Sequence, residues 1–261
     1  MQNGGGSIND YFTLAYNESV HYENAMLALQ KALTDGYLIE NVKNYVCFAS
    51  NSNPCPENNL YRILGLYQND GTYQIKLIKN NSIGTYAWNT TADSSWPTAS
   101  LNTILNTTFL NDLGSWSSLI SSYSWSINGL SSMSDYATGS IIKSSFDKEV
   151  VGSTLFYNAK IGLMYITDYG YAASPEYWNV DLWRYWNAVN FNWMYLGSEE
   201  WTISKYRSTS ALYIFSSGWA GNDVGEPVTH VYDVRPTFFL NENVKITRGD
   251  GSYLNPFYLE L

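Results

Sequence analysis

Leu60–Lys79 reads LYRILGLYQNDGTYQIKLIK, and its pattern decides the fold class. Apolar and polar residues alternate in Leu60–Leu66 and again in Thr72–Lys79. That is the period of a strand, whose successive side chains face opposite ways. Asn69-Asp70-Gly71 stands between the two runs. Asp-Gly supplies the positive φ that a tight two-residue turn requires, so the stretch predicts a β-hairpin.

Upstream of the hairpin lies YVCFASNSNPC (Tyr45–Cys55), which holds both cysteines of the chain, Cys47 and Cys55. Asn, Ser and Pro dominate the gap between them. A short polar loop closed by a disulfide fits this composition and an oxidising compartment; a pair of free thiols is the alternative. The spacing, with no histidine nearby, is not that of a zinc site. Further upstream, Leu14, Val20, Ala25, Met26, Leu29 and Leu33 recur at three- and four-residue intervals and predict a helix over Tyr11–Leu33, with Gly36 as its stop. Residues 1–42 therefore read as an N-terminal helical segment and 43–261 as the main domain.

Downstream, Leu101, Ile104, Leu105, Phe109, Leu110 and Leu113 share one helical face, behind Pro97 and Ser100. Ala159–Thr167 is an apolar run of strand length, with a turn expected at Asp168-Tyr169-Gly170. Ser210–Phe215, Val228–Val234 and Thr237–Leu240 read as short strands. No internal repeat of solenoid or propeller length is present. Helices early in the chain followed by many short strands predict an α+β domain.

Composition narrows the function. The chain has 261 residues, of which 16% are aromatic and only 14% charged, with 23 Tyr and 10 Trp. A disordered acidic chain would lack the aromatics, and a coiled coil would be rich in Ala, Glu, Lys and Leu. The net charge of −9 opposes a phosphate backbone and an anionic bilayer, so neither nucleic acid nor membrane contact is expected. No apolar run is long enough to span a membrane. Tyr, Trp, Ser, Asn and Gly together form the vocabulary of antibody-like binding surfaces.

The catalytic inventory is thin. His21 and His230 are the only histidines, and the motifs of P-loops, zincins, dinucleotide folds and nucleophile elbows are missing. Glu199-Glu200 are adjacent, so on a strand they face opposite ways and do not form an acid/base pair. No catalytic residue, metal or cofactor is expected. Arg248-Gly249-Asp250 reads as a turn. Trp193, Trp201 and Phe238 read as core, and Arg235 as the partner in a buried ion pair.

Several segments in order carry a resemblance: Tyr45–Cys55, Leu60–Gly65, Ile83–Trp88 (IGTYAW), Trp96–Leu105 (WPTASLNTIL), Ile161–Tyr171 (IGLMYITDYGY), Asn192–Ser204 (NWMYLGSEEWTIS) and Val234–Leu240 (VRPTFFL). They resemble surface domains of Firmicutes-type bacteria that sit behind a type IV pilin-like helix. The Trp-rich stretch closed by Val-Arg-Pro also resembles the C-type lectin fold, in the form used by formylglycine-generating-enzyme-like domains and by the variable proteins of diversity-generating retroelements. The copper-binding cysteines of the former and the calcium motifs of sugar-binding C-type lectins have no counterpart here. The resemblance implies a C-type-lectin-like domain over 43–261, behind a pilin-stem helix whose native anchor has been removed. It also implies a cell-surface or extracellular location and a diversified segment near Lys205–Asp233.

The expected function is a non-enzymatic adhesion- or receptor-type protein. Its ligand would be a protein or glycan on another cell or a phage or host surface. Tyr206, Arg207, Tyr213, Trp219, Asn222, Asp223, His230 and Tyr232 are the candidate ligand-facing residues, with core packing as the other reading of Tyr213 and Trp219. A carbohydrate-binding or carbohydrate-active protein is a competing reading, recognisable by two carboxylates converging in a concave site. A structural pilin subunit is another.

Overall fold

The structure, a computed structural model, describes residues 42–69, 72–136, 141–221 and 225–260. The predicted Tyr11–Leu33 helix, the turn residues Asp70 and Gly71, and two candidate site residues, Asn222 and Asp223, lie outside the described residues. What is described is α+β, mostly sheet with a few short helices.

The strands, in chain order, are β1 (Tyr45–Cys47), β2 (Leu60–Asn69), β3 (Thr72–Lys79), β4 (Thr85–Ala87), β5 (Tyr123–Ser126), β6 (Phe156–Ala159), β7 (Ile161–Gly162), β8 (Glu200–Arg207), β9 (Ser210–Ile214), β10 (Glu226–Pro227), β11 (Val231–Asp233), β12 (Thr237–Phe239), β13 (Ile246–Arg248) and β14 (Phe257–Leu259). Seven of them form a sheet in the order β13-β14-β1-β2-β3-β12-β7, and five form a second sheet in the order β10-β9-β8-β11-β4. β5 and β6 make a separate two-stranded ribbon. The first and last strands of the large sheet in chain order, β1 and β14, lie side by side and parallel, with Val46 opposite Phe257.

The β2–β3 hairpin forms as its alternation predicts, in antiparallel register from Tyr61 opposite Lys79 to Asn69 opposite Thr72. The register shifts between Ile63 and Gly65, a bulge that places glycine opposite Lys76. Both faces of the hairpin are covered. One packs Tyr61, Phe48 and Phe238 in mutual ring contact. The other packs Tyr67, Trp125, Tyr165 and Phe239. The polar members of the alternation are consequently drawn inside, where each finds partners. Buried Arg62 donates to Asn44 Oδ1 at 2.8 Å and lies between the rings of Tyr45 and Trp193. Burial lowers its pKa to about 10. Each fully buried ring of this kind contributes roughly 1.5–3 kcal/mol, which is how a chain with so few charges builds a large core.

Cys47 and Cys55 are joined by a disulfide, with their Cα atoms 5.8 Å apart. The predicted helix near Leu101–Leu113 forms as Ser100–Ile104, a π-helical turn Leu105–Phe109, and Leu110–Asp112, burying Leu101 and Leu105. Arg235 forms the expected buried pair: Nε donates to Glu200 Oε1 and Nη2 to Oε2, each at 2.7 Å. Trp201 and Phe238 are buried, whereas Trp193 is half-buried beneath Arg62.

The apolar run Ala159–Thr167 is not one strand. It crosses from β6 into the two-residue β7 and then into a helix, Ile166–Tyr171. The turn expected at Asp168-Tyr169-Gly170 is part of that helix. Asp168 reaches back to accept the backbone N–H of Tyr165 at 2.7 Å, a capping interaction that starts the helix. Gly170 continues it because Ile142 and Leu182 press to within 2.7 and 2.8 Å of where a Cβ would stand. A glycine chosen for close packing has the sequence appearance of a turn.

Candidate functional site

The five-stranded sheet carries a run of aromatic rings on one face. Antiparallel pairing sets Trp201 of β8 opposite Tyr213 of β9. β11 lies on the other side of β8 and contributes Tyr232. Their side chains meet: Trp201 and Tyr232 have ring centroids 4.8 Å apart, and Tyr232 stacks on Tyr213 at 5.0 Å with the planes 8° from parallel. The run continues through Phe215 at 4.3 Å, Trp219 at 5.8 Å and Trp183 at 5.8 Å. Trp201 and Tyr213 are buried at its base, and Tyr232, Phe215, Trp219 and Trp183 are half-exposed. A tight turn holds Phe215 and Trp219 together, since Phe215 N–H donates to Trp219 C=O at 2.9 Å. Within that turn Gly218 has φ +86°, and a Cβ there would meet Val189 at 2.1 Å, so a side chain would strain the backbone and force Val189 aside.

Acidic and hydroxyl groups border the rings. Tyr232 donates its hydroxyl to Glu226 Oε1 at 2.9 Å, and His230 Nδ1 lies 2.6 Å from the same oxygen. Glu199 accepts from Ser216 Oγ at 2.8 Å, and Tyr195 donates to the Ser216 carbonyl at 2.6 Å. Asp233 accepts from Ser198. Burial, then the charges of Glu226 and Glu199, push the phenol pKa values of Tyr213 and Tyr232 up. Both therefore stay neutral hydroxyls at physiological pH. Glu199 and Glu200 face opposite ways: one borders the rings, the other is sealed against Arg235. The site thus offers flat apolar faces edged by carboxylate acceptors and neutral hydroxyls.

Of the residues singled out from sequence, the fold gathers Tyr213, Trp219, His230 and Tyr232 here, with Tyr213 buried and His230 exposed. Tyr206 and Arg207 lie toward the other end of β8. Tyr206 is buried edge-on against Tyr136 and so corrects its reading as a ligand-facing side chain. Arg207 is exposed, its guanidinium over the Tyr206 ring. Sequence reasoning missed Phe215, Trp183, Glu226 and Glu199 as site members; Trp201, read as core, is buried beneath the exposed rings. The period of two along β8 and β9, followed from Trp201 to Tyr213 and Phe215, is the signal that leads to part of the set.

A groove of about 640 Å³ lies elsewhere. Leu119 and Val244 are the only apolar side chains among the nine residues lining it, so it offers an organic ligand little burial. Among the described residues no three His, Cys, Asp or Glu side chains gather as a metal site, and no helix is long and apolar enough to cross a membrane. Set against protein-family profiles, curated proteins and solved structures, the chain has no match in any of the three.

Proposed function

We propose that this protein is an extracellular, adhesion- or receptor-type binding protein that presents the Tyr232, Phe215 and Trp219 rings, backed by the buried Tyr213, to a protein or glycan ligand. The observation that carries the reading is the half-exposed ring run edged by Glu226 and Glu199. Ring faces give large contact area at low conformational cost, and fixed carboxylates accept hydrogen bonds from sugar hydroxyls or protein amines. The negative net charge favours a neutral or basic ligand over an acidic one. The Cys47–Cys55 disulfide supports an oxidising, extracellular setting. In this reading the domain is lectin-like and non-enzymatic, and the segment near residues 205–233 is the one that varies among siblings.

The test is a glycan array, together with purified candidate surface proteins, probed with the wild type, Tyr232→Ala and Trp219→Ala. Loss of binding by about 30-fold or more in both variants, at the scale of interface hot spots, is the expected result. Binding that survives both changes overturns the site. Release of reducing sugar from a bound glycan overturns the non-enzymatic reading.

A further inference from the structure

Lys76 lies in the middle of β3 with none of its surface exposed. Its Nζ is 2.7 Å from Asp168 Oδ2, and among the described residues that carboxyl is its only hydrogen-bond partner. An ammonium has three protons to place. Rings surround the rest of it, with the centroids of Tyr165, Tyr67, Trp125 and Phe239 at 3.9, 4.9, 5.0 and 5.5 Å from Nζ. These faces offset part of the lost hydration, but burial still pushes the lysine pKa down, toward the neutral amine.

Asp168 is held at both oxygens. Tyr67 donates its hydroxyl to Oδ1, and the Tyr165 backbone N–H donates to Oδ2. A second acid, Glu149, is sealed in the same interior, accepting from Thr167 and Ser204. Its charge acts on both Lys76 and Asp168. An amine and a carboxyl are thus fixed against each other in a buried, ring-lined enclosure, with a further acid nearby.

We propose that Lys76 and Asp168 form a self-modification site, at which Nζ of Lys76 and Cγ of Asp168 join in an amide cross-link. Proton transfer within the pair gives the uncharged amine and the carboxylic acid, and Nζ then attacks Cγ. The Nζ–Cγ bond forms and the Cγ–Oδ2 bond breaks. One hydrogen from Nζ and one from the carboxyl leave with Oδ2 as water, so no oxidant or co-reactant is consumed. The Tyr67 hydroxyl sits on Oδ1, where negative charge develops during the attack. Nζ already touches an atom bonded to Cγ, so the reacting groups are held at near-attack range without a search. The product replaces a buried ion pair, costly to desolvate, by one neutral amide. It ties β3 of the large sheet to the Ile166–Tyr171 helix across a separation of 92 residues. This inference does not depend on the ligand reading above.

Mass spectrometry of the whole protein decides it. The wild type is held at neutral pH for several days, reduced, denatured and weighed. The expected mass is lower by one water than the sequence with reduced cysteines, and proteolysis yields a branched peptide joining Lys76 to Asp168. Lys76→Met and Asp168→Ala should each show their full sequence mass. Both readings come from denatured protein, so they stand whether or not a variant folds. A wild type at full sequence mass, whose Lys76 is acylated by an amine reagent once denatured, overturns the proposal.

Discussion

The rings around Lys76 and the rings running from Tyr232 to Trp183 are built from the same side chains, and they differ in what they do with charge. Around Lys76 the rings cover an amine paired with a buried acid, and a second buried acid lies nearby, bonded by Thr167 and Ser204. On the five-stranded sheet the rings are half-exposed, and the carboxylates of Glu226 and Glu199 stand at the edge, each bonded by a neighbouring hydroxyl. An aromatic residue is therefore no marker of function by itself. The side on which its polar neighbours sit is what separates a sealed core from a surface that can grip something. Stability should reside in the sealed charges, and binding in the edged rings.

The largest expected effect falls on the sealed pair beneath the ring-bearing sheet. Arg235→Ala strands the buried Glu200 carboxylate. It should cost about 3–5 kcal/mol in chemical denaturation, while the double change to apolar residues recovers much of that loss. A cost below about 1 kcal/mol would break the contrast, because single surface changes are of that size.

Glu149 gives a sharper, pH-dependent version. Burial raises its pKa from 4.5 to about 7. Between those values the folded state keeps a proton that the unfolded state releases, so unfolding gains on folding as pH rises. The contribution of Glu149 is whole below about pH 4.5, falls through the interval and is gone above about 7, a loss of up to about 3 kcal/mol. Melting curves of wild type and Glu149→Gln across this interval should diverge, with the wild type losing stability relative to the variant as pH rises. Parallel curves would mean that Glu149 is not sealed.

The smallest effect belongs to the rim. His230 is exposed and touches Glu226 from outside. His230→Ala should leave stability within about 0.5 kcal/mol of wild type, as surface substitutions usually do. A large loss of stability would show that the edge of the ring run is structural after all.

The β2–β3 hairpin was legible because alternation and a turn signal are local properties of the chain. That its polar face would also be buried was not, because the covering elements, β5, β12 and the Ile166–Tyr171 helix, come from far along the sequence. Asp168 and Gly170 misled for a related reason: a capping carboxylate and a glycine chosen for packing look like a turn until Ile142 and Leu182 are brought beside them. Tyr213, Trp219, His230 and Tyr232 could be named from residue type alone. Their grouping with Trp201, Glu226 and Glu199 depends on β11 pairing in parallel with β8 and antiparallel with β4, a register no local pattern encodes. Tyr206 was misplaced for want of the same information.

The parallel pairing of β1 with β14 has a practical outcome. Val46 and Phe257 are neighbours across a single row of hydrogen bonds, so the first and last described strands share one seam. Strands so paired bind parts of the chain more than 200 residues apart, so a pull on either strand loads the other. Cys47 lies in β1, so its disulfide to Cys55 is a clasp on that seam, fastening one of the two strands that meet there.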